Sequence, residues 1–165
     1  MQPATSVAVF LPFLKANGIY RVLDYGAGKL RNSIFLAEQG FYVLATDCRP
    51  PARYVHSDKK IMWVAKDVIA ARILKKVDLV LCNFVINIVD DRVEQKKMMY
   101  DMTEQLRPGG FLLLETRENR SVVPGPVRHA LSKDELDALA ASYGYTADMT
   151  LRGRGSLAVL YKKNK

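Results

Sequence analysis

Asp24-Tyr25-Gly26-Ala27-Gly28, with acids at Asp47 and Asp67, holds the residue types and spacing best suited to binding a ligand. The run lies between a β-rich segment and a helix-like one. Glycines there let the backbone turn tightly and approach a ligand closely, and the following helix offers free N–H groups. Asp47 falls at the end of the next strand-like run. An acid there accepts hydrogen bonds from the ribose hydroxyls of an adenosine-containing ligand. Asp67 ends the third run, where a carboxylate either accepts from an adenine amino group or caps the helix after it. As a loop residue Asp47 is expected to serve the ligand and carry little of the core. Asp24 is expected also to brace the glycine turn.

Other groups are less specific. The two histidines, His56 and His129, are ordinary surface candidates. His129 is the better candidate catalyst because it lies in the loop after the fifth strand, on the ligand side. Two cysteines, Cys48 and Cys82, are too few for a disulfide scaffold or a four-ligand zinc site, so no metal is expected. Arg117, Arg120 and Arg128 follow the fifth strand, and Arg152 and Arg154 lie before the last. If the sixth strand runs parallel to the others, both groups emerge at the ligand face, where guanidinium groups engage carboxylate or phosphate. The alternative is solvated loop charge.

These residues need a scaffold, and the chain has room for one domain, residues 1–165. Hydrophobic residues make up 49% and charged residues 25%, which excludes a disordered chain. The longest nearly uncharged apolar stretch, Leu79 to Val89, is too short for a membrane span. Residues Ser6 to Leu14 have no preceding Lys or Arg and contain Pro12, unlike a secretory signal. A reduced, cytoplasmic domain with no membrane partner is expected. The net charge of +8 permits a polyanionic partner.

Strand-like runs Tyr20–Asp24, Phe41–Ala45, Ile61–Ala65, Asp78–Cys82 and Phe111–Thr116 alternate with helix-like segments. Helices are expected from Thr5 or Ser6 to Ala16, Lys29 to Gln39, Val68 to Lys76, and Asp90 or Asp91 to Leu106. The Lys29–Gln39 helix shows Leu30, Ile34 and Ala37 on one face. The long helix shows Val93, Lys97 and Tyr100 at helical spacing, with Met98, Met99 and Met102 packing it. Arg107-Pro108-Gly109-Gly110 breaks that helix, and Ser132 to Glu135 forms a capping box before the last one. Tyr145–Leu151 and Ser156–Tyr161 are too close for a crossover helix and must form an antiparallel hairpin. The expected fold is α/β: a Rossmann-like, seven-stranded, mostly parallel sheet with a C-terminal antiparallel hairpin and helices on both faces.

A nicotinamide dinucleotide needs a third small residue at the sixth position of the glycine fingerprint. Arg31 stands there, and Asp24 is unexplained by an anionic pyrophosphate; an ammonium or sulfonium ligand suits Asp24 better. The stretch Val22-Leu23-Asp24-Tyr25-Gly26-Ala27-Gly28 resembles the first motif of the class I S-adenosylmethionine-dependent methyltransferases. Its continuation from Arg31 to Ala37, then Gly40 to Val43 and Asp47, is similar to tellurite-resistance-type methyltransferases. Asp78 to Asn83 resembles the family's fourth-strand motif, and Leu106 to Leu112 its post-helix turn and fifth strand. Leu30 stands where many members have a third glycine. The resemblance implies S-adenosyl-L-methionine as cofactor. Asp24, Gly26 and Gly28 would surround its methionine part, Asp47 would bind ribose, and Cys48 would lie beside adenine. Asp67 and Val68 would contact the adenine edge, and Cys82 and Asn83 would lie near the transferring methyl.

Methyl transfer is an in-line displacement in which alignment supplies much of the acceleration, and no strong base is evident; Asn83 and His129 are the catalytic candidates. Cys82-Asn83-Phe84-Val85 lacks the prolines of amino-directed nucleic-acid methyltransferases. The expected acceptor is small or anionic, with RNA as the other acceptor class. The rival readings are a non-catalytic nucleic-acid-binding module on this fold and a small NAD-dependent oxidoreductase. Asp47 fits the oxidoreductase; Arg31 and the hairpin do not.

Overall fold

The computed structural model describes residues 2–49, 60–65, 69, 75–118 and 130–164. Its strands are β1 Arg21–Tyr25, β2 Tyr42–Thr46, β3 Ile61–Trp63, β4 Val77–Asn83, β5 Leu106–Arg117, β6 Tyr145–Gly153 and β7 Ser156–Lys163. Helices α1 Thr5–Ala16, α2 Arg31–Glu38, α3 Arg92–Gln105 and α4 Lys133–Ala141 alternate with them, and Ile86–Ile88 forms a 3₁₀ turn. The expected Val68–Lys76 helix lies mostly outside the described residues.

All seven strands form one sheet in the order β3-β2-β1-β4-β5-β7-β6. The first five are parallel, and β7 runs antiparallel to both β5 and β6. The strand β6 is therefore parallel to β5, as the two-residue turn at Arg154 and Gly155 requires. Alternation along each strand divides the core. On β4, Leu79 and Leu81 face α1 and α2, packing with Phe10, Leu14 and Leu36. Val80 and Cys82 face α3 and α4, packing with Met98, Met99, Met102 and Leu136. No helix among the described residues is long and apolar enough to cross a membrane.

Several local expectations shift. The N-cap of α1 is Ala4, without a side-chain bond, rather than Thr5 or Ser6. Helix α2 buries Asn32, Ser33, Leu36 and Ala37, while Ile34 is exposed. Leu30 is its left-handed N-cap. On α3 the methionines face inward, whereas Val93 and Tyr100 face outward. Asp91 caps that helix by accepting from the Val93 N–H at 2.8 Å. The Arg107–Gly110 segment ends α3 but already belongs to β5, as a bulge at which the β4–β5 register shifts. At the end of the strands opposite the glycine loop, Asp78 accepts from the N–H groups of Tyr20 and Arg21 and from Arg107 Nε at 2.6 Å. Burial pushes its carboxyl up, but these bonds prevail and hold it below the usual range.

Candidate active site

On the α1–α2 face, three strands end their apolar alternation with a polar residue. Val22 is followed two positions on by Asp24, Leu81 by Asn83, and Leu113 by Glu115. All three lie at the carboxyl ends of parallel neighbours, the position at which open α/β sheets bind ligands. The N-terminal turns of α1 and α2 approach them from above.

The glycine loop closes over the end of β2. The Gly26 and Ala27 N–H groups both donate to Thr46 O, at 2.8 and 2.9 Å. Gly26 has φ +82°, and a Cβ built on it would lie 2.2 Å from Val85 Cγ2. Its missing side chain therefore admits the segment after β4. Gly28 has φ +51° with nothing within 4 Å of a built Cβ, so its face is open. Leu30 has φ +61°. It adopts the left-handed backbone that glycine takes without strain, at a cost of about 1–2 kcal/mol, while its side chain packs beneath α2.

The two aspartates differ in environment. Asp24 is buried, and its Oδ2 accepts from Ser33 Oγ at 2.6 Å. Burial pushes its carboxyl up to about 6; the Ser33 hydroxyl opposes this and the Asp47 carboxylate reinforces it. Asp47 Oδ2 accepts from the Gly28 N–H at 2.8 Å, and its Oδ1 from Cys48 Sγ and the Arg49 N–H. Burial raises the Asp47 carboxyl, but these donors outweigh it and hold the group below the usual range. Cys48 is exposed beside it. Asp67 and Val68 lie outside the described residues.

Two cavities lie at these strand ends. One, about 610 Å³, is lined by Gly26, Gly28, Lys29, Arg31, Asn32 and Asn83. The other, about 510 Å³, is lined by Arg31, Phe84, Glu115, Arg117, Arg152 and Arg154. Arg31 borders both. Asn83 Nδ2 donates to Glu115 Oε2 at 2.6 Å and to Ser6 Oγ at 3.2 Å. Ser6 Oγ also donates to Glu115 Oε2, at 2.7 Å, and the Ala4 N–H donates to Asn32 Oδ1. The start of α1 is thereby tied to the strand ends as the wall between the cavities. Phe84, directly after Asn83, has φ +59°, a strained backbone at a position that lines the second cavity. Arg117 stacks on its ring at 4.7 Å, and Arg152 pairs with Glu118 at 3.5 Å.

A methyltransferase domain model matches residues 2–157, nearly the whole chain. The chain belongs to this methyltransferase family. Searching the curated proteins gives no match. Among solved structures, a Burkholderia thailandensis 1,6-didemethyltoxoflavin-N1-methyltransferase with bound S-adenosylhomocysteine is 21% identical at TM-score 0.78, covering 98% of this chain and 78% of that one. Magnesium protoporphyrin IX methyltransferase of Synechocystis PCC 6803, also with S-adenosylhomocysteine, is 17% identical at TM-score 0.70 over 96% and 82%. TehB from Haemophilus influenzae is 18% identical at TM-score 0.72 over 95% and 62%. The fold is that of the class I S-adenosylmethionine-dependent methyltransferases, as the motif resemblance implies.

Within this methyltransferase, Asp24, Gly26, Gly28, Asp47, Cys48 and Asn83 gather around the glycine loop and the neighbouring strand ends. Cys82 does not offer its thiol to the cavity: it is fully buried in the opposite-face core, where burial pushes the thiol up to about 12. Arg117, Arg152 and Arg154 line one cavity. Arg120, Arg128, His56 and His129 lie outside the described residues. Sequence reasoning missed Glu115 and Ser6 as site residues, and it did not place Arg31 in the site, using it against a dinucleotide and as part of the motif resemblance. The available signal was Glu115 itself, an acid inside the apolar run Phe111–Thr116.

Proposed function

We propose that this methyltransferase transfers a methyl group from S-adenosyl-L-methionine to a small, anionic acceptor. The supporting observation is the pair of cavities that share Arg31, one lined by Asn83 and the other by Glu115, its register partner on β5. The glycine-loop cavity fits the cofactor by its chemistry. Gly28 leaves an open face, and Lys29 and Arg31 in the cavity lining suit a carboxylate; Asp24, buried at the end of β1 behind the loop, suits an ammonium or sulfonium centre by its charge. Asp47, held ionised by its donors, suits ribose hydroxyls. When bound, S-adenosylmethionine supplies an electrophilic methyl group, and the chain's own part is alignment. The arginine-lined cavity is of small-ligand size and suits a carboxylate or phosphate. Two cysteines outside any disulfide among the described residues, exposed Cys48 and buried Cys82, suit a reducing compartment such as the cytoplasm.

The test is to incubate the protein with methyl-labelled S-adenosylmethionine and a cell extract divided into small-molecule and RNA fractions. Label is expected in an anionic small molecule. Label confined to RNA would replace the acceptor class, and label in neither would contradict the reading.

A further inference from the structure

The arginine-lined cavity has a carboxylate in its wall. Glu115 is only 4% exposed, yet it lines that cavity. Both of its side-chain bonds, from Ser6 and Asn83, go to Oε2. Among the described residues Oε1 receives no hydrogen bond, and it is not among the buried side-chain atoms that lack a partner. It is therefore the oxygen left to face the cavity. No ion pair joins Glu115 to the surrounding arginines among the described residues: Arg152 pairs with Glu118, and Arg117 lies over Phe84.

Glu115 also adjoins the cofactor side in the sheet. It is the register partner of Asn83, which lines the other cavity. Asn83 is itself committed. Its Nδ2 donates to Glu115 and Ser6, and its Oδ1 faces Asn32 Nδ2 at 3.5 Å. Asn83 thus holds Glu115 in place, and Glu115 Oε1 presents the free acceptor at the junction.

A nearly buried carboxylate without a cation is costly unless a donor completes it. It also repels a ligand that is anionic along its whole length, as a polyphosphate chain is. We infer that the acceptor is a small amphoteric molecule, with an anionic group held by Arg31, Arg117 and Arg154 and an N–H or O–H at the reacting end donated to Glu115 Oε1. This inference rests on the methyl-transfer reading and narrows its substrate class.

The test measures binding, by calorimetry, to protein saturated with S-adenosylhomocysteine. The probes are the three aminobenzoates and three hydroxybenzoates, compared with benzoate, which lacks the donor, and with aniline and phenol, which lack the anion. At least one isomer is expected to bind roughly tenfold or more tightly than all three controls, the scale of one hydrogen bond to a charged group. Glu115→Gln should erase the advantage over benzoate while leaving benzoate bound as tightly or more so. Arg154→Ala should weaken every carboxylate. Unfolding curves establish that the variants fold; if Glu115→Gln does not, the comparison among probes on the parent protein decides alone. Equal binding of benzoate and all six isomers, or binding of none, overturns the inference. Failure of S-adenosylhomocysteine itself to bind would instead overturn the methyl-transfer reading.

Discussion

Asp24 carries, at single-residue scale, a stability cost at the candidate site. Its carboxyl titrates near 6 in the folded protein, against about 4 in an unfolded chain. Between these values the folded state binds the extra proton, so stability falls as pH rises through that window. Above it the ionised, buried carboxylate costs on the order of 3 kcal/mol. Asp24→Asn should therefore raise the unfolding midpoint at pH 7.5 and flatten the pH dependence between about 4 and 6. On the proposed placement of the cofactor, the same change should weaken S-adenosylhomocysteine binding, because the ligand's ammonium would lose its anionic neighbour. Thermal unfolding across pH, with calorimetry beside it, checks both; an unchanged slope would refute the assignment. Sequence alone placed Asp24 and Asp47 at strand ends but divided their duties too cleanly. Asp47 also holds the Gly28 and Arg49 N–H groups, so it braces the turn that Asp24 was expected to brace. Such bonds depend on loop geometry, which residue spacing does not encode.

The glycine loop and the segment after β4 fit together as elements. Gly26→Ala would set a Cβ against Val85 Cγ2 at 2.2 Å and also strain a backbone at φ +82°. Its cost should reach several kcal/mol, more than the 1–2 kcal/mol of left-handed strain alone. Adding Val85→Ala to Gly26→Ala should recover the steric part and leave the strain. Unfolding of both single variants and the double variant measures the coupling; additive losses would show that the two segments do not interlock. The elements themselves were legible because strand and helix periods differ, and β1, β2, β4, α3 and the hairpin lie within a few residues of expectation. The buried face of α2 was legible only in part: Leu30 and Ala37 are buried as expected, and Ile34 is not. A search for apolar periodicity selects Leu30, Ile34 and Ala37, but the helix turns Asn32 and Ser33 inward to meet Asn83 and Asp24. Polar residues buried for a site are invisible to a hydrophobic template. Glu115 was overlooked for the same reason.

At the scale of the whole molecule, the sheet order places the glycine loop, Asn83 and Glu115 on adjacent strands β1, β4 and β5. The hairpin then returns Arg152 and Arg154 to the same end, because β6 runs parallel to β5. That convergence was legible from the short hairpin connection and the arginine positions; the division into two cavities was not, since it depends on the first turn of α1 bonding to Glu115 and Asn32. The central claim is that the glycine-loop cavity binds S-adenosylmethionine through the strand-end residues. Calorimetric titration with S-adenosylhomocysteine, on the parent and on Asp47→Ala, tests it most directly. The parent should bind saturably at one site, and Asp47→Ala at least roughly tenfold more weakly, the scale of one or more hydrogen bonds to a charged group. No binding to the parent at millimolar ligand, or equal binding by Asp47→Ala, would contradict the account.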